Sequence, residues 1–265
     1  MDTVSKTLYI PLFGKALVSR KGIILRDPKA EELWQAEQIP LRGKAASKWL
    51  AYYMAMRSAV YDAWLREQMA RDTDAVVLHL GCGMDSRCLR VEHPGRLWYD
   101  ADLPEVIRER ERYFASDEMY RLISADLRQE AWLEEIGAER VIVVLEGVSM
   151  YLEPQELKRL LDRLGKRFRK VSLLMDSYTE LAAKLSRRHN PINSVGVTQV
   201  WGLDDPNAVE SEELRFLREK DITPSELIGQ LAPMEQWIFR RLYAGGISQK
   251  LYKMFEYGSE EGSGL

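Results

Sequence analysis

The feature that most constrains this chain is a rhythm of short apolar runs between residues 76 and 176, each closed by glycine or an acid. Val76-Val77-Leu78-His79-Leu80 ends in Gly81-Cys82-Gly83, and residues 97–99 lead into Asp100-Ala101-Asp102. Residues 120–125 end at Asp126, 141–145 at Glu146-Gly147 and 171–175 at Asp176. Runs of this length between turn residues predict buried strands. Helices are expected between them at 105–114, where Pro104 takes a favoured first-turn position, around 129–136, and at 154–168. Strands alternating with helices call for a parallel sheet covered on both faces, an α/β, Rossmann-like architecture.

Both flanks fit such a core. Residues 28–70 read as helical, and from Ala45 the apolar positions Trp49, Tyr52, Tyr53, Met56, Val60 and Trp64 form a core-facing stripe. Arg57 lies about 80° from Trp49 on this wheel, taking ~100° per residue, at the edge of the stripe where a charge needs a partner. After Asp176 the rhythm loosens. A helix is expected at 180–189, a loop or cap at 190–209, a strand at 214–221, a helix at 225–243 and a closing strand at 248–257. The last two strands would add an antiparallel pair, giving seven strands in a mostly parallel sheet. The expected organisation is an N-terminal helical cap (1–70), a core (71–258) with a cap insertion around 180–210, and a disordered Gly/Ser/Glu tail (259–265).

Composition excludes several classes. A formal charge of −3 argues against a nucleic-acid protein, and no apolar run approaches a membrane span. Cys82 and Cys88 make no zinc or disulfide spacing, so no metal is expected and free thiols suit a reducing, cytoplasmic setting. From Thr3 to Arg26 there are five basic residues, Lys6, Lys15, Arg20, Lys21 and Arg26, and no acid, as in transit peptides, but Pro11 and Gly14 interrupt a clean amphipathic helix. A folded basic segment is the expectation.

In an open parallel sheet ligands bind beyond the carboxyl ends of the strands. The turn Gly81-Cys82-Gly83 lets a ligand approach backbone closely. A dinucleotide fingerprint requires a third glycine; that position is Ser86, and Asp85 before it would repel a pyrophosphate. Asp102, 21 residues after Gly81, stands where an acid accepts ribose hydroxyls. A ribose acid without phosphate-binding features points to a phosphate-free nucleoside, S-adenosylmethionine. Arg57 is a suitable fork for its carboxylate. A nicotinamide-dependent oxidoreductase and a non-catalytic cofactor-binding protein stay open as alternatives.

The ordered motifs resemble those of the leucine carboxyl methyltransferase family. Gly81-Cys82-Gly83-Met84-Asp85-Ser86-Arg87 is similar to its Gly-x-Gly-x-Asp-[Thr/Ser]-Arg turn. Asp102-Leu103-Pro104, Asp126-Leu127-Arg128 and Glu146-Gly147-Val148-Ser149-Met150-Tyr151-Leu152 resemble its later elements. Ile10-Pro11-Leu12, Leu25-Arg26-Asp27-Pro28 and Trp201-Gly202-Leu203-Asp204-Asp205-Pro206 are most like the bacterial branch, whose members methylate small molecules such as polyketides. The resemblance implies a class I methyltransferase fold and an S-adenosylmethionine-dependent O-methyltransferase. It places Gly81 at the methionine moiety, Gly83 at the cofactor, Asp102 at the ribose, Asp126 and Leu127 at the adenine, and Glu146 near the ammonium. Arg57, assisted by Lys15, would hold the carboxylate, and Arg87 would brace Asp85 or the N-terminal segment. His79 is expected to be a buried, hydrogen-bonded histidine.

The acceptor is expected to be a small molecule, with a protein C-terminus as the alternative. A carboxylate acceptor is ionised at neutral pH and needs no base, whereas a phenol does. Tyr178 and His189, with Asp176, are the candidate bases, and Trp34, Trp49, Trp201 and Tyr178 the candidate pocket walls.

Overall fold

The computed structural model describes residues 8–37, 40–41, 43–189, 199–246 and 250–259, without the side chains of 44 and 187–189. Seven strands form one sheet in the order β3-β2-β1-β4-β5-β7-β6. They are β1 (Val76–Leu80), β2 (Trp98–Asp102), β3 (Tyr120–Ser124), β4 (Arg140–Leu145), β5 (Lys170–Tyr178), β6 (Leu214–Glu219) and β7 (Tyr252–Ser259). The first five are parallel, and β7 runs antiparallel to both β5 and β6. The expected architecture is therefore present. β1 pairs with β2 on one side and β4 on the other. The chain winds outward from β1 and returns beside it, so the crevice opens beyond β1 and β4.

Among the described residues the N-terminal region holds three α-helices, α1 (Tyr9–Lys21), α2 (Pro28–Glu37) and α3 (Lys48–Arg71), so the stretch 28–70 read as helical is divided between two. Pro11 and Gly14 lie inside α1. Proline costs nothing in a first turn, where its missing N–H would go unpaired. Gly14 sits where α1 crosses α3, and a Cβ there would come within 2.9 Å of the Ala51 carbonyl oxygen. The remaining α-helices among the described residues are α4 (Arg87–Arg90), α5 (Pro104–Arg110), α6 (Pro154–Arg167), α7 (Glu180–His189), α8 (Ser225–Ile228) and α9 (Pro233–Leu242). Pro233 starts α9 and divides the expected helix 225–243. Gly258 and Ser259 carry β7 beyond the expected closing strand 248–257, so Ser259, placed in the tail by sequence, pairs instead with Leu214. Residues 260–265, and 190–198 of the expected 190–209 loop or cap, lie outside the described residues; the remainder of that segment carries a short 3-10 turn at Pro206–Val209.

Strand alternation divides the core in two. Val77, Trp98, Ile142, Val144, Leu174 and Met254 pack with α1 and α3, through Tyr9, Leu12, Tyr52, Met56 and Trp64. Leu78, Leu80, Tyr99, Val143, Leu145 and Met175 pack on the other face with Leu157, Leu160, Leu161 and Leu164 of α6. With a period of two, His79, Asp100, Asp102, Glu146 and Asp176 all fall on the face beneath α1 and α3. No described helix is long and apolar enough to cross a membrane.

Candidate active site

That shared face explains how the site is assembled. Acids reach it from the strands and strand ends, from α3 and from the turns at Asp27 and Asp85, and cations from α1, α3 and α4. Arg57 is 4 % exposed; its Nε donates to Glu146 at 3.0 Å, and its Nη1 to Asp176 at 3.0 Å and Tyr252 at 2.7 Å. Arg87, fully buried, donates through Nε to Asp62 at 2.6 Å and through Nη2 to Glu146. Arg90 bonds Asp62, Asp85 and Asp27. Lys15 of α1 reaches Asp85 at 2.8 Å. A buried charge is tolerated only when paired, and here each ion has several partners.

This network floors a cavity of about 450 Å³ at the carboxyl ends of β1 and β4. Lys15, Arg57, Gly81, Gly83, Asp102, Asp126, Leu127 and Glu146, every residue expected at the cofactor, line this one cavity. Its volume lies within the usual range for a small-molecule site, roughly 300–1,000 Å³. Asp102 accepts the Gly83 N–H at Oδ2 and the Leu103 N–H at Oδ1, both at 2.8 Å. Burial pushes its carboxyl above the usual range against the pull of these two bonds. Asp126 accepts both Nε and Nη2 of Arg128, each at 2.8 Å, and this pairing lowers its carboxyl.

Glu146 is hydrogen-bonded by Ser58 as well as the two arginines. Burial would raise its carboxyl, but Arg87 and Arg57 outweigh burial and draw it to about 2. Asp85 is held well below the usual carboxylate range in the same way, by Arg87, Arg90 and Lys15 against burial. Arg87 braces Asp85, as expected, at 3.6 Å, but its shorter contacts are to Asp62 and Glu146. His79 is buried, with Nε2 3.3 Å from Arg87 Nη1. Its Nδ1 lies 3.2 Å from Asp100 Oδ1 but is not aligned for a hydrogen bond.

The acceptor-side expectations fare differently. Tyr178 lines the cavity. His189 ends α7, and its side chain lies outside the described residues. Asp176 does not follow β5 but lies within it, fully buried, accepting from Arg57, Tyr61, Tyr252 and the Gly147 N–H. Four donors leave it no capacity to act as a base. Trp34 packs on Phe13 and Trp49 on Tyr52, and neither reaches the cavity; nor does Trp201. Its walls are instead Leu8, Ile10, Pro11, Leu50 and Met54 from the N-terminal region, with Met150, Tyr151 and Tyr252. Ile10, Pro11, Met150 and Tyr151 belong to the family-like motifs, but nothing local in the sequence marks Leu8, Leu50, Met54 or Tyr252, because separate segments bring them together.

The family model for leucine carboxyl methyltransferases matches residues 5–165. The chain belongs to the leucine carboxyl methyltransferase family. It is 30% identical over 241 residues to the tetracenomycin polyketide synthesis O-methyltransferase TcmP of Streptomyces glaucescens, covering 89% of each chain. It is also 30% identical over 184 residues to the S-adenosyl-L-methionine-dependent methyltransferase dpfgK of Gibberella zeae, covering 63% of this chain and 62% of the relative. In fold it is similar to magnesium protoporphyrin IX methyltransferase from Synechocystis PCC 6803, solved with S-adenosylhomocysteine. The TM-score is 0.52 at 12% identity, over 86% of this chain and 93% of that one.

The fold is thus the class I methyltransferase fold, and the chain is an S-adenosylmethionine-dependent methyltransferase. The oxidoreductase alternative falls with this membership. Consistent with that, Ser86 bonds Asp27, and the Asp85 carboxylate stands beside the turn. The donor set suits the methyl donor. An acid with two backbone bonds retains lone pairs for ribose hydroxyls. Arg57 Nη2 has no hydrogen-bond partner among the described residues and lies at the cavity beside Gly147, 3.2 Å from where a Cβ would stand.

Proposed function

We propose that this protein methylates the carboxylate oxygen of a small, largely apolar acceptor. When bound, S-adenosylmethionine supplies an electrophilic methyl group on a sulfonium sulfur. In this reading Asp102 accepts the ribose hydroxyls, and Asp126 and Leu127 flank the adenine. Lys15 and Arg57 Nη2 receive the donor's carboxylate, Glu146 lies on the ammonium side, and Gly81 and Gly83 leave room for the methionine chain. The N-terminal helices lie over the cavity and exclude water, which leaves alignment of the two reactants as the chain's main contribution.

The observation that carries the carboxylate assignment is the state of the titratable groups at the cavity. Asp85 and Glu146 are locked by cations. Burial pushes the Tyr252 phenol and Cys82 thiol well up. His79 faces Arg87 with one ring nitrogen and Asp100 with the other. Asp102 is engaged by two backbone N–H groups. Such a set suits an acceptor that arrives already ionised, since a phenol near pKa ~10 calls for a base. Similarity to a polyketide O-methyltransferase over 89% of the chain supports a small molecule over a protein terminus, and with it a biosynthetic, cytoplasmic setting.

A matched pair of acceptors tests this. 2-Naphthoic acid and 2-naphthol are offered with labelled donor to the wild type and to His189→Ala. Methyl ester formed by both proteins is expected. Turnover of the phenol alone, or loss of acid turnover in His189→Ala, would refute the assignment.

A further inference from the structure

One wall of the cavity lies beyond the segment matched by the family model, which ends at residue 165. Tyr178, the last residue of β5, pairs across the sheet with Tyr252, the first of β7. Both line the cavity. Their rings meet edge to face, with centroids 5.1 Å apart and planes at 66°. Tyr53 supports the Tyr252 ring with a centroid distance of 6.1 Å at 65°. The other end of Tyr252 enters the ion network, where its hydroxyl accepts from Arg57 Nη1 at 2.7 Å and donates to Asp176.

Arg57 is a long side chain whose fork is planar. Glu146 fixes its Nε, while Asp176 and Tyr252 fix both N–H groups of Nη1, so Nη2 is held at the cavity. Without the Tyr252 hydroxyl, one buried N–H loses its acceptor and Asp176 loses a donor. The fork then keeps only its bonds to Glu146 and Asp176 and is held less firmly.

We propose that Tyr252 is a positioning residue with two separable duties. Its hydroxyl, with Asp176, sets the Arg57 fork for the donor's carboxylate, and its ring, with Tyr178, forms the aromatic wall for the acceptor's apolar body. The first duty rests on the reading above that Arg57 receives that carboxylate. A loosely held ligand-binding group loses affinity even when its own chemistry is intact.

Titration calorimetry separates the two duties, with S-adenosylhomocysteine as the donor-side probe and 2-naphthoate, added to the S-adenosylhomocysteine complex, as the acceptor-side probe. Tyr252→Phe is expected to weaken S-adenosylhomocysteine about tenfold, the scale of one hydrogen bond to a charged group, and to leave 2-naphthoate within about twofold. Tyr178→Leu is expected to do the reverse, and Tyr252→Leu to weaken both. If Tyr252→Phe melts below the assay temperature, Asp176→Asn probes the same side of Arg57 and is expected to weaken S-adenosylhomocysteine similarly. Unchanged S-adenosylhomocysteine affinity in folded Tyr252→Phe, or equal loss of both probes in Tyr178→Leu, would overturn the proposal. Failure of the wild type to bind S-adenosylhomocysteine is a different result and removes the donor-site reading itself.

Discussion

Lys15 on the first helix and Asp85 beyond the glycine turn meet at 2.8 Å with side chains only 3% and 9% exposed, tying the N-terminal cap to the floor of the site. Removing one partner of a buried ion pair costs about 3–5 kcal/mol, because the other is left without compensation. Asp85 keeps Arg90 at 2.6 Å, so Lys15→Met should fall at the low end of that range. The melting temperature should drop and S-adenosylhomocysteine affinity should weaken. Differential scanning calorimetry and titration calorimetry check the two effects.

Asp102→Ala should abolish measurable donor binding at micromolar concentrations. The substitution removes the ribose acceptor and releases the Gly83 and Leu103 N–H groups. A hydrogen bond to a charged group contributes about 1.5–3 kcal/mol, so two ribose contacts correspond to roughly a hundredfold or more in affinity. Asp102→Asn keeps the shape and should lose less. Equal affinities for wild type and Asp102→Ala would show that the ribose is held elsewhere.

Gly81 has φ +65°, and a Cβ there would lie 2.2 Å from Val148 Cγ2. Gly81→Ala should therefore destabilise the turn twice over. The left-handed backbone costs about 1–2 kcal/mol and the overlap about 1–3 kcal/mol. Adding Val148→Ala should restore the steric part and leave the backbone part. Denaturant unfolding of the single and double variants separates the two.

Acid stability should report the Glu146 network. The folded carboxyl titrates near 2, below its ordinary value of 4.5. A depressed folded value stabilises the protein above the unfolded value, and that stability is lost as pH falls. The loss attributable to Glu146 should therefore develop between about pH 4.5 and 2, on the order of 3 kcal/mol. Glu146→Gln, less stable near neutrality because Arg57 and Arg87 lose their shared anion, should show a shallower slope in that window. Circular dichroism during acid titration of both proteins tests this, and parallel curves would contradict it.

Much of this was legible along the chain because it is local. The turn Gly81-Cys82-Gly83, the acid Asp102 and the segments at Asp126 and Glu146 each sit within a few residues of a strand end. The strand rhythm alone sends strand ends to one edge of a parallel sheet. Arg57 could be flagged as a charge in need of a partner from helical periodicity. Asp176 was misread because β5 continues three residues beyond the apolar run. Its carboxylate is buried by pairing with α3 and β7, which no local pattern encodes. The tryptophans were misplaced for a related reason. Apolar residues favour any interior, and only packing decides between core and cavity wall.

The sequence by itself determined the order of elements, the parallel core and the residues that end its strands, since periodicity and turn chemistry act over short stretches of chain. Tertiary structure alone decided that Arg57 would be divided among Glu146, Asp176 and Tyr252, and that a tyrosine of the last strand would stand against one of β5. Those contacts join residues up to 195 positions apart, and their energies depend on burial and geometry that exist only once the sheet has closed beneath its helices.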